Sequence, residues 1–125
     1  MIDVTRLVGL KLRGGFCIAA IEVSREPLTD ARGREAVAQT TISGRDFRIL
    51  IQPGLVESEL SVTLYHEVLE AASVGADECP QQVTEFNEGD FERAAQAAHK
   101  RFGSASASCL NLMLEEYGFR DDKKL

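Results

Sequence analysis

Length, composition and charge set the first limits on this chain. It has 125 residues, of which 44% are hydrophobic and 27% charged, so one globular domain over residues 1–125 is expected. Repeat arrays and general disorder are excluded. The net charge is −6, and residues 57–125 hold fourteen acidic against six basic side chains. Because phosphate backbones are bound by clustered Lys and Arg, we expect no nucleic-acid partner.

The sequence also predicts a cytoplasmic protein without membrane contact. No apolar run reaches the roughly 18 to 20 residues that cross a bilayer, and the chain begins with neither a basic region nor a signal-like apolar stretch. Cys17, Cys79 and Cys109 are widely spaced, which suggests neither a disulfide framework nor a cysteine-rich zinc knuckle.

The first half of the chain predicts a four-stranded sheet over residues 3–52. Apolar side chains alternate from Val4 to Leu12, and residues 16–23 are almost continuously apolar, as in a central strand covered on both faces. Because the connections are too short for helical crossovers, we expect a mainly antiparallel sheet. The four strands are predicted at residues 4–12, 16–23, 36–43 and 47–51.

The second half predicts three helices over residues 57–118. Leu60, Leu64 and Val68 recur at helical spacing in the first. An alanine-rich second helix over residues 91–102 ends at Gly103, and a third ends at Gly118. The expected fold is therefore α+β, with the sheet covered on one face by three helices and residues 119–125 forming a frayed tail.

The first helix contains the one motif that suggests chemistry, Leu64-Tyr65-His66-Glu67-Val68-Leu69-Glu70-Ala71. His66 and Glu70 are four residues apart, so a helix places both on one face, where they could reach the same metal ion. Glu67 lies next to them and could act as a general base on a metal-activated water. Metal binding and hydrolysis are therefore candidate functions.

This segment resembles the His-Glu-x-x-His helix of the zincin metallopeptidases, with Glu70 in place of the second histidine. The preceding strand and short turn also look like the edge strand and active-site helix of small zincin-like proteins. The resemblance covers roughly residues 48–72. It implies a minimal metallopeptidase-like protein in which His66 and Glu70 bind a divalent metal, Glu67 is the acid/base residue, and a third ligand lies downstream.

The third ligand is sought on the second helix, where Glu88, Glu92 and His99 share one stripe. Glu88 is preferred because it lies at the helix start, where a cleft has room, and Glu92 and His99 are the alternatives. Zinc is the first expected metal. However, one histidine with several carboxylates makes a harder site, so Mn²⁺ and Mg²⁺ also stay open.

Three functions are compatible with these residues. The first is a metal-dependent hydrolase of the zincin-like peptidase type, or its degenerate metal-binding relative, acting on an unknown peptide or protein. The second is a non-catalytic interaction or assembly protein, possible as a homodimer, that uses the sheet edge or the alanine-rich helix; His66 and Glu70 would then be an exposed surface pair. The third is a module that is folded by its metal but hydrolyses nothing.

Overall fold

The structure, a computed structural model, describes residues 2–30 and 32–119. Strands precede helices, so the α+β class is confirmed. Two short 3-10 turns, Val4–Arg6 and Arg13–Gly15, come before the first strand. In the described ranges, every helix is too short or too polar to span a membrane. The main elements are β1 Cys17–Val23, β2 Ala38–Ser43, β3 Asp46–Ile51, α1 Glu57–Gly75, α2 Glu88–Phe102 and α3 Ala107–Glu116.

The sheet is mixed and three-stranded, so the predicted four-stranded, mainly antiparallel sheet is wrong. The strand order is β1-β3-β2, with β3 parallel to β1 and antiparallel to β2. A tight turn joins β2 to β3 at Gly44, whose positive φ of 63° suits glycine. Strand β2 pairs with the side of β3 opposite to β1, so β1 and β2 do not pair with each other. The central strand is therefore β3, and residues 16–23, expected as the central strand, instead contain the edge strand β1.

The predicted strand over residues 4–12 is also wrong. The Asp3 side chain accepts a hydrogen bond from the Thr5 amide and caps a 3-10 turn, which diverts the chain from extended geometry. Only a short bridge follows, in which Lys11 pairs with Cys17 at the start of β1. The alternating apolar residues of this segment therefore lie in turns and not in a strand, and Val8 is 44% exposed.

The three helices are confirmed, and side chains cap their starts. The Glu59 carboxylate accepts a hydrogen bond from the Val56 amide ahead of α1, and Asn87 and Ser106 cap α2 and α3.

The predicted frayed tail begins at Phe119, but that side chain is buried and its amide donates to the Leu114 carbonyl. Residues 120–125 lie outside the described residues.

Helix α1 is the central element of the fold. It contacts β2, α2 and α3, so more than one of its faces is covered. Its apolar side is fully buried at Leu64, Tyr65, Val68 and Leu69. The remaining, polar sector of α1 lies beside the beginning of α2 and the edge strand β2, and this placement creates the candidate site.

Candidate metal centre

The polar sector of α1 is mostly covered and is not a solvated surface. The side chains of His66 and Glu67 are only 13% and 14% exposed, and that of Glu70 is 28% exposed. Strand β2 and helix α2 provide the cover, because Thr40 and Glu92 both bond to residues of this sector. An exposed His–Glu pair, the alternative left open by the sequence, does not describe this arrangement.

Four carboxylates surround the His66 ring. The ring nitrogen Nε2 lies 3.0 Å from Glu88 Oε2, 3.8 Å from Glu70 Oε2 and 4.0 Å from Glu67 Oε2. The other nitrogen, Nδ1, lies 2.9 Å from Glu92 Oε1. Two helices thus place their acidic side chains around one imidazole, which we call the His66 cluster: His66, Glu67, Glu70, Glu88 and Glu92.

The start of α2 is fixed by a reciprocal cap, which positions the two carboxylates that this helix contributes. Asn87 Oδ1 accepts a hydrogen bond from the Asp90 amide at 2.9 Å, and Asp90 Oδ2 accepts one from the Asn87 amide at 3.0 Å. Glu88 and Glu92 are four residues apart and therefore share the face directed at α1. Phe91 lies on the same side, with its ring centroid 6.2 Å from that of His66.

The charges of the cluster change the protonation of its members. Burial works against a charged His66 ring, but hydrogen bonds with Glu70 and Glu92 and the negative charges of Glu67 and Glu70 raise the pKa of His66 to about 9. The hydrogen bond with His66 lowers the pKa of Glu70. A hydrogen bond with Glu70, followed by burial, raises the pKa of Glu88 to about 7. At neutral pH the metal-free cluster is therefore centred on an imidazolium.

Glu67 occupies a distinct environment within the cluster. Burial raises its pKa, partly offset by the hydrogen bond that Thr40 Oγ1 donates to Glu67 Oε1 at 2.9 Å. With Oε1 held by β2, Oε2 is the oxygen that faces His66. Glu67 thus combines a fixed orientation with a raised pKa, and both properties suit a proton acceptor near neutral pH.

A groove of about 480 Å³ borders the cluster between α1, α2 and the start of β2. Its wall is apolar at Val37, Ala38 and Val62 and acidic on the side of the cluster. Among the described residues that line it, none is Lys or Arg. The complete lining is Val37, Ala38, Ser58, Glu59, Val62, Thr63, His66, Glu67, Glu88, Glu92 and Gln96.

The structure brings together most of the residues selected from the sequence. Ligand atoms of His66, Glu67 and Glu70 all lie within 4.8 Å of one another, so this group could hold a metal ion. Glu88, the preferred third ligand, also reaches His66. His99 does not join them, because its Nδ1 lies 2.7 Å from Ser61 Oγ in a separate contact.

Two residues of the site were missed by sequence reasoning. Gln96 Nε2 donates a hydrogen bond to Glu92 Oε2 at 3.0 Å, and Thr40 binds Glu67. The spacing of four between Glu92 and Gln96 on one helix is a signal that could have revealed the first. Nothing in the local sequence links Thr40 to α1, since the contact depends on how β2 docks.

The distances are compatible with a metal ion among these atoms. Ligand atoms at about 2.1 Å from a tetrahedral ion lie about 3.4 Å from one another. The separations of 3.0 to 4.0 Å between Nε2 and the three nearest carboxylates bracket this value. The distances from Nε2 to these carboxylates are therefore close to those between the ligands of one ion.

Comparisons with protein-family models, curated proteins and solved structures find no match to this chain. The fold and the site together define an α+β protein with a His/Glu cluster that could hold a metal ion. The strand before the helix, expected to be an edge strand as in small zincin-like proteins, is the central strand β3, so the likeness to zincins rests on the His-Glu-x-x-Glu helix alone.

Proposed function

We propose that this protein binds one divalent metal ion through His66, Glu70 and Glu88 and uses it for hydrolysis of the zincin-like peptidase type. One observation carries the proposal: a His66 side chain only 13% exposed has three carboxylate oxygens within 4.0 Å of Nε2. The side chains of Glu67 and Glu70 are 14% and 28% exposed, so their carboxylates repel each other unless a cation compensates them. Glu88, whose side chain is 76% exposed, adds a third carboxylate. The imidazolium supplies one positive charge against the carboxylates of the cluster, and a divalent ion would supply two.

Each residue of the proposed site has a separate role. His66 Nε2, Glu70 and Glu88 are the ligands, because they are the closest atoms that converge from both helices. When bound, the ion supplies Lewis-acid activation of water. Glu67 accepts the proton of the attacking water, since Thr40 fixes one of its oxygens and burial raises its pKa.

Zinc is the first metal proposed for this site. Zinc accepts imidazole and carboxylate ligands, but a set with a single nitrogen donor is harder than the usual zinc sets and also suits Mn²⁺. Titrations with Zn²⁺, Mn²⁺ and Mg²⁺ under identical conditions will rank the three. We expect the order Zn²⁺, Mn²⁺, Mg²⁺, because a nitrogen donor favours the first two over Mg²⁺.

The proposed substrate is a peptide or protein segment bound in the groove beside the cluster. The groove is bordered by the start of the edge strand β2 and has apolar wall residues next to Glu67 and His66. This arrangement offers contact area for an extended chain within reach of the proposed base. The acidic lining disfavours an anionic substrate, because like charges repel in a partly desolvated site.

Two variants and a control variant test the proposal. Glu67→Gln should retain metal but lose hydrolysis of an unstructured protein such as casein, since the amide cannot accept a proton. His66→Ala should lose the metal, and His99→Ala, which alters the other histidine, should retain it. Metal loss in Glu67→Gln would show that Glu67 is a ligand and would remove the proposed base.

A second candidate function is a non-catalytic module stabilised by its metal. It is favoured by one distance: Glu67 Oε2 lies 4.0 Å from His66 Nε2, nearly the same as the 3.8 Å of Glu70 Oε2, so Glu67 also fits as a ligand. Zn²⁺ would then raise the melting temperature strongly without any hydrolysis. The Glu67→Gln variant discriminates the two functions, because only the non-catalytic module would bind metal less tightly after this substitution.

A further inference from the structure

The two nitrogens of His66 have different surroundings. Nε2 faces three carboxylates, those of Glu67, Glu70 and Glu88, at 3.0 to 4.0 Å. Nδ1 faces the Glu92 carboxylate at 2.9 Å, a hydrogen-bond distance. A metal site needs three or more protein ligands in most cases. Within the described part of the chain, only the Nε2 side offers that number.

Glu92 is itself held in place by the next turn of α2. Gln96 Nε2 donates a hydrogen bond to Glu92 Oε2 at 3.0 Å, which leaves Oε1 for His66. The Glu92 side chain is 46% exposed, so without this anchor it would be free to turn toward solvent. A chain of two hydrogen bonds therefore runs from Gln96 through Glu92 to the imidazole.

We infer that Glu92, anchored by Gln96, is a positioning residue of the metal site and not one of its ligands. It keeps the proton of His66 on Nδ1 and thereby directs the Nε2 lone pair toward Glu67, Glu70 and Glu88. Carboxylates in this position fix the tautomer and orientation of a ligating histidine and increase its basicity. The inference rests on the proposed metal binding and adds a role that the ligand set alone does not contain.

Zinc affinity of four variants tests this role, measured by competition with a chelator. Glu92→Ala should bind Zn²⁺ about 10- to 100-fold more weakly, the usual cost of losing such a partner. Glu92→Gln, which keeps an acceptor oxygen without the charge, and Gln96→Ala should show smaller losses. Lys100→Ala is the matched control, because Lys100 is an exposed residue one turn beyond Gln96. Circular dichroism of each variant confirms that it folds.

A second measurement reads the tautomer directly. Long-range proton–nitrogen spectra of the Zn²⁺-loaded wild-type protein should show a proton on His66 Nδ1 and the metal on Nε2. Metal on Nδ1, or a Glu92→Ala variant with unchanged affinity, would overturn the inference while leaving the metal site intact. So would a Glu92→Ala loss as complete as that of His66→Ala, since Glu92 would then be a ligand. A wild-type protein that binds no Zn²⁺ would overturn the proposed function and this inference together.

Discussion

The two histidines of this chain make an instructive comparison. Both are partly buried and both bridge α1 and α2, His66 from the first helix and His99 from the second. His66 is surrounded by four carboxylates. His99 instead contacts the Ser61 hydroxyl, which also accepts a hydrogen bond from the Ala105 amide at 2.8 Å.

The comparison shows that the chemistry of the partners, more than burial or position, separates a candidate metal ligand from a structural histidine. The partner of His99 is the uncharged Ser61 hydroxyl, which has a second partner in the Ala105 amide, so this contact brings no carboxylate to the ring. Around His66 the negative charges exceed the one positive charge of the ring. This excess is what a divalent cation would relieve.

The largest expected effect on Zn²⁺ affinity comes from replacing each of the two histidines by alanine in separate variants. His66→Ala should weaken Zn²⁺ binding by more than about 100-fold, above the range for loss of a mere positioning partner. His99→Ala should leave Zn²⁺ affinity unchanged, because its ring bonds to Ser61 and lies outside the His66 cluster. Isothermal titration calorimetry measures both. Equal losses in the two variants would remove the distinction between the histidines.

The pH dependence of Zn²⁺ affinity and of stability should sharpen the comparison between the two histidines. With a pKa of about 9, His66 must release a proton to bind metal, so Zn²⁺ affinity should rise about tenfold per pH unit from pH 7 toward 9 and then level off. The metal-free protein should behave oppositely. The folded-state pKa of His66 exceeds the ordinary value of about 6.5. The stabilisation that the protonated His66 gives the fold is therefore complete below pH 6.5 and is lost as the pH rises through 9.

Urea denaturation of the metal-free protein between pH 6 and 10 measures this second effect. The free energy of unfolding of wild type should fall between about pH 6.5 and pH 9 and then level off, and His66→Ala should not show this decrease. An identical pH profile for both proteins would contradict the raised pKa of His66.

Replacing Ser61, the partner of His99, should lower the stability of the fold without weakening metal binding. Ser61→Ala removes the acceptor of the buried Ala105 amide and the partner of His99, which should cost about 1 to 3 kcal/mol of unfolding free energy. Zn²⁺ affinity should not change, because Ser61 is not in the His66 cluster. A weakened metal site in this variant would show that the two regions are coupled.

The smallest expected effect is at Thr40, which supports Glu67 from β2. Thr40→Val keeps the shape but removes the hydrogen bond to Glu67 Oε1, which should cost about 1 kcal/mol and raise the pKa of Glu67 further. Thr41→Val is the matched control, because Thr41 is the exposed neighbour on the same strand. Chemical denaturation compares them, and equal losses in both variants would argue against a specific role of Thr40.

The helices and half of the site were predictable from the sequence because their signals are local. Helical spacing and caps define α1 and α2, and the same spacing places His66 and Glu70 on one face. The parallel pairing of β1 with β3 was not predictable, since it depends on which strands pair across the sheet and not on any local pattern. The contacts of Glu92 and Thr40 likewise depend on docking between elements, which no local pattern encodes.

The most direct test is elemental analysis of the protein purified without a histidine tag, after equilibration with micromolar Zn²⁺ and removal of free ion. The His66 cluster predicts close to one equivalent of metal in the wild type and in His99→Ala, and almost none in His66→Ala. A wild-type protein without metal, or the same metal content in all three, would contradict the central claim that His66 and its carboxylates form a metal site.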